Sequence, residues 1–246
     1  MSLTIVEVLE RSVQGRTEPY VCRGDDGEVY FVKGRSATRR GLIAEWLCAR
    51  LGEAFGLPIA PYAIAHVPEE LIEADLTGWL RDLGAGNVFA SRRVNAVELT
   101  EAHRSLVPEA QRRDVIAFDW WVHNGDRNLT ALSGNSNLLW NPADGGSLVV
   151  IDHNLAFDPE FSAADFVELH VFSDDISLMF SDFLLRDVYT ARFANALGIW
   201  EEACHNLPES WMFIDPEQTI PVEFPFAQIK ELLNRALSET FWSLPP

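Results

Sequence analysis

The chain has 246 residues, 48% of them hydrophobic, and a formal charge of −18. Its length supports one large domain or two lobes sharing a cleft, and its charge opposes nucleic acid and anionic membranes, so direct nucleic-acid binding is not expected. No run approaches the ~20 apolar residues of a membrane span, and Glu7, Glu10 and Arg11 fall where a signal peptide's apolar core would lie, so a cytoplasmic location is expected.

The opening residues alternate as strands: TIVEVLERSV, PYVCRG and EVYFVKG, with the turn GDDG between the last two, predict an antiparallel meander. GLIAEWLCARLGEAFG then has helical spacing, with Gly56 and Pro58 as the stop. PIAPYAIAHV reads as a further strand, and residues 69–86 as a loop with a short helix. The lobe boundary is placed there, giving an N-terminal β-rich lobe over 1–86 and a C-terminal helical lobe over 87–246. RRDVIAFDWWVHN predicts an apolar helix, followed by the short β-like runs NLLW and SLVVID around the turn NPADGG. LMFSDFLLRDVYTARFANAL and FAQIKELLNRALSETFW read as helices, with Phe172, Phe180, Phe183 and Phe193 as a core stripe. The fold class expected is α+β: a β-rich lobe with one main helix, then a mostly helical lobe. Cys22, Cys48 and Cys204 are far apart and odd in number, which argues against a zinc site and a disulfide framework.

Three segments carry residue types suited to phosphoryl transfer, which needs a divalent metal, a cation on the phosphates and a carboxylate for the attacking hydroxyl. Lys33 ends the strand EVYFVK, and Glu45 sits in the following helix between Ile43, Ala44, Trp46 and Leu47. A lysine and a glutamate so placed are surface residues in most proteins, but the apolar flanks of Glu45 weaken that reading. Nearby, Lys33, Arg35, Arg39 and Arg40 form a basic patch that is either a solvated loop or phosphate-facing. HNGDRNLTALSGNSNLLW packs Asp126 and several asparagines into one loop, where carboxylate and amide oxygens suit magnesium. Asp126 would orient the acceptor hydroxyl. Asn137, immediately before LLW, is the favoured metal ligand, with Asn135 kept open; the alternative is a loop that is simply a good turn. Asp152 ends the apolar strand SLVVID, either as a metal ligand or as a capping residue.

These segments resemble the HipA-like kinase family, relatives of protein kinases and phosphatidylinositol kinases. The resemblance is carried by VKG at Lys33, GLIAEWLCARLGEAFGLPIAPY, VFASRRV, FDWWVHNGDR, NLLW and VVIDHNLAF, roughly residues 10–160. It implies a two-lobed protein-kinase-like fold in minimal form and ATP-dependent transfer of the γ-phosphate to a serine or threonine of a protein. Asp126 would then act as base, Asn137 and Asp152 on Mg2+, Lys33 on the phosphates, and Glu45 as partner of Lys33. Some relatives pair with an antitoxin, so an antitoxin-type partner is a further implication. Small-molecule or lipid kinases of the same fold, and nucleotide-binding pseudokinases, are the other readings. The chain departs from the pattern in three places. It has no full glycine-rich loop, QGRTEPY with Gly15, Arg16 and Thr17 being the nearest candidate. Asp126 and Asn137 are 137 − 126 = 11 positions apart, and HN follows Asp152.

Overall fold

Alternation places Tyr30 and Val32 on one face of their strand and Phe31 and Lys33 on the other. The computed structural model describes residues 3–12, 18–129 and 134–244. In it β1 (Leu3–Arg11), β2 (Tyr20–Gly24) and β3 (Val29–Lys33) form the expected antiparallel meander. The main helix, α1 (Arg39–Phe55), follows, then β4 (Tyr62–Val67), α2 (Glu69–Glu73) and β5 (Gly86–Arg92). β5 pairs antiparallel with both β3 and β4, and β4 runs parallel to β1 through Leu3↔Ala65 and Thr4↔His66. The sheet thereby closes into a five-stranded barrel in the order β1-β2-β3-β5-β4. Among the described residues each barrel strand has a neighbour on both sides, β1 and β4 meeting through those two positions, and Ile5, Tyr20, Tyr30, Val32, Val67 and Val88 form the buried cluster within it. Lys33, of opposite parity to Tyr30 and Val32, projects outward.

Of the run PIAPYAIAHV only Tyr62–Val67 is a strand. Pro58 and Pro61 have no amide hydrogen to give a ladder, and Ile59 makes a separate bridge to Val150. Thr38 begins α1 by accepting the Gly41 N–H on its hydroxyl at 3.1 Å. Leu42 to Ala49 are all buried, so the middle of α1 has no solvated face.

The chain divides into two compact units. The first holds residues 1–46, 60–94 and 206–224; the second holds 47–59, 95–205 and 225–246. In the first, Trp211 donates its indole N–H to the Asn87 carbonyl at 2.9 Å, tying the segment 206–224 to β5. Gly34 allows the chain after β3 to pass against the loop at Leu83: a Cβ there would lie 2.1 Å from the Leu83 oxygen, which accepts the Arg35 N–H at 3.2 Å.

In the second unit β6 (Val97–Glu98) is followed by α3 (Glu101–Arg104), α4 (Glu109–Trp121), the ladder of β7 (Asn128–Leu129) with β8 (Gly134–Asn135), then β9 (Leu138–Asn141) and β10 (Ser147–Val150). β6, β9 and β10 make a three-stranded sheet in the order β10-β9-β6. Next come α5 (Ala163–Leu169), α6 (Ser173–Ser181), α7 (Phe183–Leu197), α8 (Trp200–His205) and α9 (Phe226–Asn234). The core of this unit is aromatic. Phe193 packs on Phe55 with ring centroids 5.0 Å apart, on Trp121 at 4.9 Å and on Phe241 at 5.2 Å.

The helix expected over 178–197 breaks at Asp182, whose carboxylate accepts the Leu184 N–H at 2.9 Å and caps α7. Phe172, Phe180 and Phe193 are buried, but Phe183, at the exposed first position of α7, is 72% exposed and lies beside Arg186 rather than in the core. The final helical run keeps α-geometry to Asn234 and continues as two short 3-10 turns. Burial pushes the Cys22 thiol up to about 12 and, with the charge of Glu201, that of Cys204 up to about 11, so both are protonated near neutrality. Among the described residues no helix is long and apolar enough to cross a membrane.

Candidate active site

Within the first unit, Lys33 and Glu45 form an ion pair. Glu45 is 2% exposed. Taking both charges out of water costs several kcal/mol before their attraction repays it, so a buried pair of this kind is weak evidence for stability and better evidence for a positioned cation. Gly15, Arg16 and Thr17 lie outside the described residues.

The second unit assembles the other candidates around the end of α4. The helix stops at Trp121, and His123 takes a left-handed backbone, φ 51°, that turns the chain into the loop. Asn124, fully buried, donates its Nδ2 to Asp119 Oδ1 at 2.9 Å and accepts the Asp126 N–H on its side-chain oxygen at 3.4 Å. One turn of α4 thus fixes the backbone at Asp126. The carboxylate is fixed from the far side of the loop: Asn137 Nδ2 donates to Asp126 Oδ2 at 3.0 Å and Asn135 Nδ2 donates to the same oxygen at 3.3 Å.

Those contacts show what happens to the eleven positions separating Asp126 from Asn137. Asn128 of β7 pairs with Asn135 of β8, and the antiparallel ladder returns the chain to where it left. Past the ladder, Asn137 comes back to Asp126. Asn137 is 7% exposed with φ 48°, whereas Asn135 stands in the ladder.

Arg127 joins this loop to the strand end that bears Asp152. Its Nη1 donates to the carbonyls of Ser136 at 3.2 Å, Asn137 and Ile151 at 3.3 Å. Its Nε donates to Asp119 Oδ2 at 2.7 Å, and its Nη2 to His153 Nε2 at 3.1 Å. The Ile151 N–H also bonds the Asn137 carbonyl at 3.2 Å. The neighbours of Asp152 on both sides, Ile151 and His153, are therefore held by the guanidinium that holds Asn137. Asp152 itself has a left-handed backbone, φ 56°. Non-glycine residues in that region carry local strain of ~1–3 kcal/mol, which persists where surrounding contacts over-determine the backbone, and such residues gather at functional sites.

The anchor of the clamp is electrostatic. Burial alone would raise the Asp119 carboxyl, but the Arg127 charge and the His170 N–H outweigh it and hold the group well below the usual carboxylate range. Burial lowers His170 in spite of Asp119. Its Nδ1 accepts the Phe172 N–H at 3.1 Å, which leaves Nε2 to carry the proton toward Asp119 Oδ2 at 3.1 Å. His170 is thus neutral, and Asp119 and Arg127 are the charged pair.

Asp119, Asn124, Arg127 and His170 had no role in the sequence reading, although one signal was present. Asp119 interrupts the apolar run IAFDWW as Glu45 interrupts IAEWL, and a charge flanked by residues that must be buried requires a partner. A hard cation suits the oxygen set. With the Nδ2 atoms of Asn137 and Asn135 on Asp126, their amide oxygens point elsewhere, and these oxygens and the Asp152 carboxylate are of the type that could hold magnesium.

A barrel with a buried lysine–glutamate pair and a loop of carboxylate and amides define the class. The HipA-like kinase family matches residues 5–245, and the chain belongs to it. Kinase membership makes it a phosphotransferase that uses a nucleotide. The crystal structure of a Helicobacter pylori proinflammatory kinase, CtkA, is similar at 13% identity over 97% of this chain and 96% of that one, with a TM-score of 0.49. No curated protein matches the chain.

Proposed function

We propose that the protein transfers the γ-phosphate of ATP to a serine or threonine hydroxyl of a protein, with Mg2+. The observation that carries this reading is the Asp126 carboxylate held by the amides of Asn137 and Asn135 while Arg127 fixes the same loop to the Asp152 strand end. Asp126 accepts a hydrogen bond from the acceptor hydroxyl and takes its proton as the oxygen bonds to the γ-phosphorus. The bond from that phosphorus to the β–γ bridging oxygen breaks, and ADP leaves. Asn137 and Asp152 are the residues that would hold Mg2+, which when bound would neutralise charge on the phosphates. Lys33 contributes the phosphate-binding cation, and its pair with Glu45 limits the rotamers of its long stem.

Support for phosphoryl transfer comes from what the site provides, namely positioned hydrogen-bond partners and oxygen ligands rather than a nucleophile, because this chemistry depends on positioning and electrostatics. The test is Mg2+-dependent transfer of labelled γ-phosphate from ATP, to the protein itself or to proteins of an extract. Asp126→Ala and Asp152→Ala should each reduce transfer by at least about a hundredfold. Full transfer by both variants would overturn the assignment.

A further inference from the structure

A pocket of about 260 Å³ opens beside Asp126. Gly125 and Asp126 form one wall, and the segment from Leu155 to His170, including α5, forms the others. The walls are built in advance. The Phe157 N–H bonds the Val122 carbonyl at 2.7 Å and the Asp158 N–H bonds the His123 carbonyl at 3.4 Å, so the two segments are zipped where both His123 and Phe157 adopt left-handed backbone. Phe161 stacks on His123 with centroids 4.3 Å apart and planes 11° from parallel, and Phe166 packs 5.4 Å from Phe161.

Resting on the kinase reading, we infer that this pocket receives the phosphate acceptor and that the acceptor is a peptide segment whose serine or threonine has a lysine or arginine neighbour. Position is the first argument. The pocket is lined by Asp126, the residue that must meet the acceptor hydroxyl, so a hydroxyl seated in it lies beside that residue. Charge is the second. Asp126, Asp158, Glu160 and Asp165 all line the pocket. Of the two other ionisable residues there, Arg127 is committed to Asp119 and buried carbonyls, and His170 is neutral. The field inside is therefore negative, and a cation entering it is attracted.

Size separates a peptide from a free metabolite with the same chemistry. Sites that enclose a whole small molecule usually span ~300–1,000 Å³, and this one is smaller and lined by exposed Leu155 and Leu169 at its rim. A peptide has to insert only one or two side chains while the rest of its chain runs outside.

The experiment compares kcat/KM for three serine peptides of equal length, flanked by arginine, alanine or glutamate, and for a panel of hydroxyl-bearing amines, alongside ATP hydrolysis without acceptor. The arginine peptide is expected to exceed the alanine peptide by at least about tenfold. That ratio should fall severalfold in Glu160→Gln/Asp165→Asn, two exposed positions whose replacement preserves the fold, and should shrink as salt rises. Equal use of the three peptides, a preference for the glutamate peptide, or phosphorylation confined to the small amines, in a protein that turns over ATP, overturns the inference and leaves the kinase reading standing. Absence of ATP turnover and of MgATP binding overturns both.

Discussion

Replacing Arg127 by methionine tests the clamp. Both members of the Arg127–Asp119 pair are almost wholly inaccessible, with side chains 0% and 1% exposed. Removing one partner of a buried pair costs ~3–5 kcal/mol, because the other charge stays buried without compensation. The carbonyls of Ser136, Asn137 and Ile151 lose their guanidinium donor as well, which adds ~1–2 kcal/mol after partial replacement by backbone partners and water. The total, ~4–7 kcal/mol, is comparable with the whole stability of an ordinary domain. Urea denaturation followed by the fluorescence of buried Trp120 and Trp121 should show a midpoint shifted far down, or no folded baseline. Asp119→Asn/Arg127→Met, in which no unpaired charge is left, should recover at least ~2 kcal/mol, so that the cycle has a coupling energy of that size. Loss of less than ~1 kcal/mol in Arg127→Met, or strict additivity in the double variant, would refute the account of the clamp.

Four further outcomes follow from the geometry. Asn137→Ala should raise the Mg2+ concentration for half-maximal transfer by roughly tenfold or more, and Asn135→Ala should raise it less, which a magnesium titration of the rate would show. Lys33→Met should leave Glu45 buried without its cation and lower stability by ~3 kcal/mol in the same urea assay, in addition to any loss of ATP affinity. Gly34→Ala should cost ~2 kcal/mol or more, since its methyl would meet the Leu83 backbone rather than a flexible side chain, and a thermal melt reads this directly. Burial and the Arg235 charge push His123 down to about 4, and His170 is lowered too. Unfolded histidine titrates near ~6.5, so below that pH the unfolded chain binds more protons; stability is full above it and falls as pH drops toward 4. His123 is partly exposed, so its share should be about 1 kcal/mol at pH 5, and His123→Gln should flatten the decline in urea midpoint between pH 7 and 5.

Much of the local structure was legible in the sequence because it follows from short-range rules. Alternation set the face of β3 from which Lys33 projects, Gly56 marked the end of α1, and the asparagine-rich loop after α4 announced itself by composition. Glu45 and Asp152 stood out for a related reason: a carboxylate within or directly after an apolar run must have a use or a partner. Asp182 shows the limit of the rule. It lies within a periodic run, and whether such a residue stays in a helix or caps the next one depends on packing around it.

The sequence by itself determined the element types of the first strands and α1, the residues suited to phosphoryl transfer, and their order along the chain. Tertiary structure alone decided that the barrel closes, because β1 meets β4 and β3 meets β5 across separations that no local period records. It also brought Asn137 back to Asp126 beside the β7–β8 ladder, a contact that eleven positions of sequence do not announce. Most of all it decided the partners of Arg127. One residue after Asp126, it reads in sequence as half of a charged dipeptide. Its actual role comes from a carboxylate on α4, carbonyls of two later segments and a histidine beyond the strand, groups assembled only because an inaccessible guanidinium must satisfy every one of its donors.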